Sequence, residues 1–148
     1  MVHYTENRKV RFNYEILEKY ETGIELLGTE VKSVRGGHMS LEGAFVIIRG
    51  GEAFLINASI PPYQPKNTPK DYDPLRNRKL LLTKKEITEL AGSEKNKSLT
   101  IVPISVYNKN RKIKVEVALV KGKKKLDKRE TIKKRETDRE IRREYKEH

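Results

Sequence analysis

Few side chains in this sequence could carry out covalent chemistry. The three histidines, His3, His38 and His148, are far apart, and there is no cysteine in 148 residues. That excludes a thiol nucleophile, a Cys-ligated zinc site and a disulfide scaffold, and no cofactor or metal is expected. Only His38 could join a Ser/His/Asp arrangement, in the stretch Gly36-Gly37-His38-Met39-Ser40. The glycine pair reads more simply as a turn, and His38 as a surface polar or phosphate-facing residue. No glycine-rich phosphate loop or dinucleotide fingerprint occurs. None of the 21 acidic residues stands out from the charged surface as a carboxylate pair. The expectation is a protein that is not an enzyme.

Its chemistry is that of charge. The chain has 33 Lys+Arg against 21 Asp+Glu, a net charge of +12. Such an excess favours a polyanionic partner, nucleic acid first. Residues 1–120 carry 20 basic and 14 acidic side chains, whereas residues 121–148 carry 13 and 7. Half of the excess therefore falls in the last 28 residues, which divides the chain into a body, 1–120, and a basic tail, 121–148. In the body, Arg8, Lys9 and Arg11 precede Phe12 and Tyr14. Lys32 and Arg35 flank a helix, and Arg76, Arg78 and Lys79 close a proline-rich loop that reads equally as a solvated connection before a buried element or as a basic lip beside a binding surface. Cations bind phosphate by releasing counterions, and exposed aromatics can stack on unpaired bases. Phe12 and Tyr14 read better as core residues of a strand than as stacking platforms.

These residues need elements to hold them. Alternating apolar residues place a strand over 12–20. Thr29, Val31 and Val34 make one or two helical turns before Gly36. Strands at 44–49 and 52–56 flank Gly50-Gly51, a pair suited to a tight hairpin turn. Residues 60–79 hold five of the six prolines and read as a long loop leading to a buried Leu80-Leu81-Leu82. Thr83-x-x-Glu86 is a capping box for a short helix that Gly92 stops. Strands at 99–107 and 112–120 flank a turn at 108–111. In the second, Ile113, Val115, Val117 and Leu119 face inward and Lys112, Lys114 and Glu116 outward. The pattern is mostly β with short helices and no βαβ rhythm, and an OB-like closed antiparallel β-barrel fits it. The tail has only Leu126, Ile132, Ile141 and Tyr145 as apolar residues, so it is disordered when free or helical on binding. No apolar run exceeds the five residues 44–48, too short for a membrane span or signal segment, so a cytoplasmic monomer without membrane contact is expected.

Several blocks stand in an order that resembles a known family. They are Asn7-Arg8-Lys9-x-Arg11, Tyr20-Glu21-x-Gly23-Ile24, Gly28-Thr29-Glu30-Val31-Lys32-Ser33-x-Arg35, Asp73-Pro74, Arg78-Lys79-Leu80-Leu81-Leu82 and Lys121-Gly122-Lys123-Lys124-x-x-Asp127-Lys128-Arg129. Together they resemble the SsrA-binding protein (SmpB) family, the bacterial partner of transfer-messenger RNA (tmRNA), from about Asn7 to Arg129 and more loosely beyond.

The resemblance implies an RNA-binding ribosome-rescue factor in trans-translation. Its barrel would grip the tRNA-like domain of tmRNA, and its tail would enter the empty mRNA channel of a stalled ribosome near the decoding centre. The implied RNA-facing residues are Asn7, Arg8, Lys9, Arg11, Glu21, Leu81, Lys114, Gly122, Lys123 and Lys124. The implied ribosome-facing residues are Asp127, Lys128 and Arg129. Lys114 is also outward by strand alternation, whereas Leu81 is core by composition and faces RNA only by resemblance. Two departures from the family pattern are Leu126, before Asp-Lys-Arg, and Gly37-His38 after the helix. The alternative reading is a structural ribosomal or translation-associated OB-fold protein bound permanently to ribosomal RNA.

Overall fold

The computed structural model describes residues 2–122. The tail beyond Gly122, with Lys123, Lys124, Asp127, Lys128 and Arg129, lies outside the described residues. In chain order the elements are strand β1 (Val2–Glu6), the helical turn α1 (Val10–Asn13), β2 (Tyr14–Ile24), α2 (Gly28–Arg35), β3 (Phe45–Arg49), β4 (Glu52–Ile56), β5 (Arg78–Leu81), α3 (Lys84–Glu94), β6 (Leu99–Lys109) and β7 (Lys112–Gly122). The seven strands form one sheet in the order β1-β6-β3-β4-β5-β2-β7, every pairing antiparallel. β6 also pairs with β7, from Leu99 opposite Lys121 to Lys109 opposite Lys112. The fold is mostly β with short helices.

Local sequence explains most of these elements. Gly50 and Gly51 both adopt left-handed conformations, φ 58° and 74°, as a two-residue hairpin turn between β3 and β4 requires. The Thr83 hydroxyl accepts from the Glu86 N–H while the Glu86 carboxylate accepts from the Thr83 N–H, so α3 starts at the expected box. α3 then runs through Gly92 to Glu94 instead of stopping there. A single glycine costs a helix only about 1 kcal/mol, and Leu90, fully buried, anchors the helix against the core.

Residues 12–20 do not form one strand. Val10–Asn13 coil into α1, and β2 begins at Tyr14. The reason is a second, smaller apolar cluster on the outer side of the sheet. Val10 packs there with Val102, Ala118 and Val120, and Tyr14, Ile16 and Ile104 pack against it. β7 consequently buries residues on both faces: Val115, Val117 and Leu119 in the main core, Ala118 and Val120 under α1. Ile113 packs at the edge of the main core, as its alternation predicts.

The basic lip is corrected in one respect. Arg78 is fully buried in β5 rather than displayed beside a binding surface. Its guanidinium donates to Glu30 (Nε to Oε2, 2.8 Å; Nη2 to Oε2, 2.5 Å), to the Ala58 and Pro74 carbonyls (2.8 and 3.1 Å) and to the Tyr72 hydroxyl (3.3 Å). Glu30, on α2, is itself 1% exposed and also receives bonds from Arg76, Tyr72 and the Leu27 N–H. Burial opposes ionisation of this carboxyl, but Arg76, the Leu27 N–H and Arg78 outweigh it and hold its pKa below the usual carboxylate value. The cluster fastens the proline-rich loop and β5 to α2.

Candidate nucleic-acid interface

Directly opposed residues of a ladder project to the same face, and β7 gives that face its order. On the outer side Ala118 opposes Lys19, Glu116 opposes Glu21 and Lys114 opposes Gly23 across β2. Across β6 the same positions oppose Val102, Ser105 and Tyr107. Beyond Gly23, β5 contributes Leu81, the partner of Gly23 in the next ladder. Leu81, Gly23 and Lys114 thus form a short row across three strands, with Glu21 beside it. Sequence expectation set Leu81 in the core by composition; instead Leu80 is buried and Leu81 is 49% exposed, because β5 alternates.

Glu21 is held on this face. The Tyr107 hydroxyl donates to its Oε2 at 2.6 Å, and Lys109 Nζ lies 3.2 Å from Oε1. Chiefly through the Tyr107 bond, with Lys109 and Lys114 adding positive charge, its pKa is lowered, so a carboxylate stands among the cations. The tyrosine is buried, its ring tilted against the neighbouring His3 ring with 5.7 Å between centroids, and its own pKa is raised by burial and by Glu21.

The amino-terminal group lies farther along the same face. Arg8 and Arg11 line a cleft with Ser105 and Glu116, and Glu116 is two residues, about 7 Å, along β7 from Lys114. Lys9 is paired with Glu42 at 2.9 Å, both well exposed. The Asn7 side-chain amide, half-buried, points its nitrogen to the Leu41 and Pro103 carbonyls at 3.4 and 3.5 Å. Asn7 therefore helps position the segment that carries the two arginines. Gly122 stands at the end of β7 opposite Tyr14, eight residues along the strand from Lys114. Described side chains thus form one surface from Arg8 and Arg11 past Glu116 and Glu21 to Lys114 and Leu81, with Gly122 apart. Sequence reasoning missed Tyr107 and Lys109; a tyrosine in a strand facing an outward row was the available signal. Phe12 is half-buried in α1 rather than in a strand.

Among the described residues no group of three or more His, Asp or Glu could hold a metal ion, and no helix is long and apolar enough to cross a membrane.

The family model described as SmpB protein matches residues 4–147. An SsrA-binding protein of Gloeothece citriformis is 51% identical over 142 residues, spanning 96% of this chain and 92% of the relative. Another, of Sulfurihydrogenibium sp., is 54% identical over 140 residues, spanning 95% and 91%. A solved structure described as "tmRNA-SmpB: a journey to the center of the bacterial ribosome" is similar with a TM-score of 0.68 and 47% identity, covering 82% of this chain and 85% of that one.

Proposed function

The chain belongs to the SmpB family, and on that premise we propose that it binds the tRNA-like domain of tmRNA and delivers it to stalled ribosomes in trans-translation. The strands form the supporting body. β6, β3, β4, β5, β2 and β7 pair in sequence and β7 returns to β6, a circuit that fits an OB-like barrel. Residues 1–120 are this RNA-binding body, and 121–148 a tail that enters the empty mRNA channel near the decoding centre. The protein acts in the cytoplasm as a binding factor, without catalysis of its own.

The observation that carries this reading is the common face of Lys114, Leu81, Glu21, Arg8 and Arg11. Lys114, Arg8, Lys9 and Arg11 supply phosphate contacts, and Lys123 and Lys124, next to Gly122 in sequence, are assigned to the same RNA. Such contacts give affinity that falls with salt but little sequence information. Leu81, an exposed apolar side chain beside Lys114, packs on a base or sugar. Glu21, an acceptor pinned by Tyr107, favours a base amino group and repels a misplaced phosphate. Asn7 acts at one remove, by fixing the backbone before Arg8. Asp127, Lys128 and Arg129 face the ribosome.

Comparing the tmRNA tRNA-like domain with intact tRNA tests the body. Tighter binding of the former is expected, with a loss of about 10³–10⁵ in affinity between 50 and 200 mM salt if about 6–10 phosphates are contacted. Equal affinity for both RNAs would leave a generic basic binder. For the tail, truncation before Asp127 should spare tmRNA binding and abolish peptide tagging on stalled ribosomes. Tagging that survives truncation refutes the assignment of the tail.

A further inference from the structure

The row of Gly23, Leu81 and Lys114 separates two clefts, one of mixed charge and one lined by cations alone. On one side a cleft of about 520 Å³ has three carboxylates on its walls, Glu21, Glu52 and Glu86, beside Lys79 and Lys114, with Lys79 3.2 Å from Glu52. On the other side a cleft of about 370 Å³ lies between α2, the end of β2 and the β6–β7 turn. Its lining contains four cations, Arg35, Arg111, Lys112 and Lys114, and no carboxylate. The remaining walls are largely apolar, with Ile24, Leu26, Val31 and Ile113. None of the four cations is in a salt bridge among the described residues. An apolar interior under an all-cationic rim complements a planar, apolar-faced group carrying anions on both sides, which is the chemistry of one unpaired nucleotide.

The backbone adds a second, independent observation. Asn110 and Arg111 form the two-residue turn between β6 and β7, both left-handed at φ 51° and 65°. A tight turn of this kind favours Asn-Gly, because glycine has no Cβ to clash. Arginine at the second position is conformationally costly, and such outliers persist chiefly where the side chain has a use. Here Arg111 lines the cleft mouth, and the Arg35 guanidinium, across the rim on α2, bonds its carbonyl at 3.4 Å. The turn is therefore held toward α2.

We propose that this cleft is a nucleotide pocket, in which a single unpaired base of the bound RNA inserts between Leu26, Val31 and Ile113 while Arg35, Arg111, Lys112 and Lys114 neutralise its flanking phosphates. The proposal rests on the RNA-binding reading above and assigns it a subsite with its own specificity. The Arg111 side chain is the clamp on the solvent side.

The test uses the full chain, the tRNA-like domain transcript, and transcripts with single abasic nucleotides at each unpaired position. Arg111→Gly removes the cation and relieves the turn, so its melting temperature should hold or rise while affinity falls about 3–10-fold. The log–log salt slope should shrink by about one phosphate contact. One abasic position should cost wild type about 10-fold in affinity and cost the glycine variant much less, because base and clamp act together. Wild-type affinity and slope in Arg111→Gly, or an abasic scan with no sensitive position, overturns the pocket, and tmRNA-selective binding by wild type would then leave the broader function standing. A melting temperature that drops along with the affinity also overturns it, since Arg111 would then be structural. Absence of binding to the intact transcript overturns both readings.

Discussion

Replacing Arg78 by Met should be the most damaging single change to a charged residue among the described ones. The guanidinium makes five hydrogen bonds inside a site from which water is excluded, and its side chain and that of Glu30 are both 0% exposed. Methionine fills much of the volume but returns none of the bonds. Glu30 would retain Arg76, the Tyr72 hydroxyl and the Leu27 N–H, while the Ala58 and Pro74 carbonyls would lose the Arg78 donor. Removing one partner of a buried ion pair costs about 3–5 kcal/mol. For a body of this size each kcal/mol lowers Tm by about 3–5 °C, so a fall of about 10–25 °C is expected. Arg76→Met is the internal comparison. Arg76 contacts the same carboxylate, but its side chain is 32% exposed, so solvent screening limits its loss to about 1–2 kcal/mol. Thermal and urea melts of Arg78→Met, Glu30→Gln and the double variant complete the cycle. The double variant should lose less than the two singles added, by at least about 1 kcal/mol, because each single already forfeits the bonds that Arg78 and Glu30 share. Equal costs for Arg78→Met and Arg76→Met, or strict additivity in the cycle, would refute the claim that this buried pair fastens the loop and β5 to α2.

Three further outcomes follow from the described geometry. Lys114→Ala should weaken tmRNA binding and reduce the salt slope by about one contact, with stability changed by no more than about 0.5 kcal/mol, as titrations beside melts would show. Glu21→Gln should strengthen binding to unrelated RNA while narrowing the preference for the tRNA-like domain, measured as the ratio of the two affinities; an unchanged ratio would remove Glu21 from specificity. Stability should be nearly flat from pH 8 to 5 and fall below about pH 4.5, because Glu30 has a folded-state pKa below its unfolded value of 4.5. Its contribution is present above that value and is lost as pH drops through the lowered one, so the Glu30→Gln variant should show a shallower acid limb.

What the sequence revealed depended on whether one local rule decided the element. Gly50-Gly51 between apolar alternations and the Thr83/Glu86 box are local instructions, and both elements form where expected. Lys114 was legible because β7 alternates beneath it. β1 was missed because its residues are only exposed or half-buried, so its ladder to β6 leaves little periodic imprint. α1 was misread because Phe12, Tyr14 and Ile16 alternate. What decides that segment is Val10, which must cover Val102, Ala118 and Val120, residues about 90–110 positions away. Arg78 was misplaced for a similar reason. Strand parity puts Arg78 and Leu80 on one face and Lys79 and Leu81 on the other, so burying Leu80 buries Arg78 as well. That parity was available, but only the acid on α2 makes a buried arginine tolerable, and no local pattern announces a partner 48 residues away.

Charge counting therefore misleads in both directions for this chain. Two of the body's arginines are engaged by Glu30, one of them entirely, so they add little to the field that RNA meets. On the outer face, Glu21 subtracts from that field and is held in place by Tyr107 and Lys109 rather than left free to turn away. A surface selected only for affinity would dispense with it, since each phosphate neighbour is repelled. Retaining an ionised acceptor between Lys114 and Lys109 makes sense if the surface must accept one arrangement of phosphates and reject others. The two clefts flanking Leu81 extend the same logic, one lined by four cations and no carboxylate, the other by three carboxylates beside two lysines. On the proposed RNA-binding reading, the body's basic side chains supply attraction at a distance, and the acids among them limit where along the face an RNA backbone can settle.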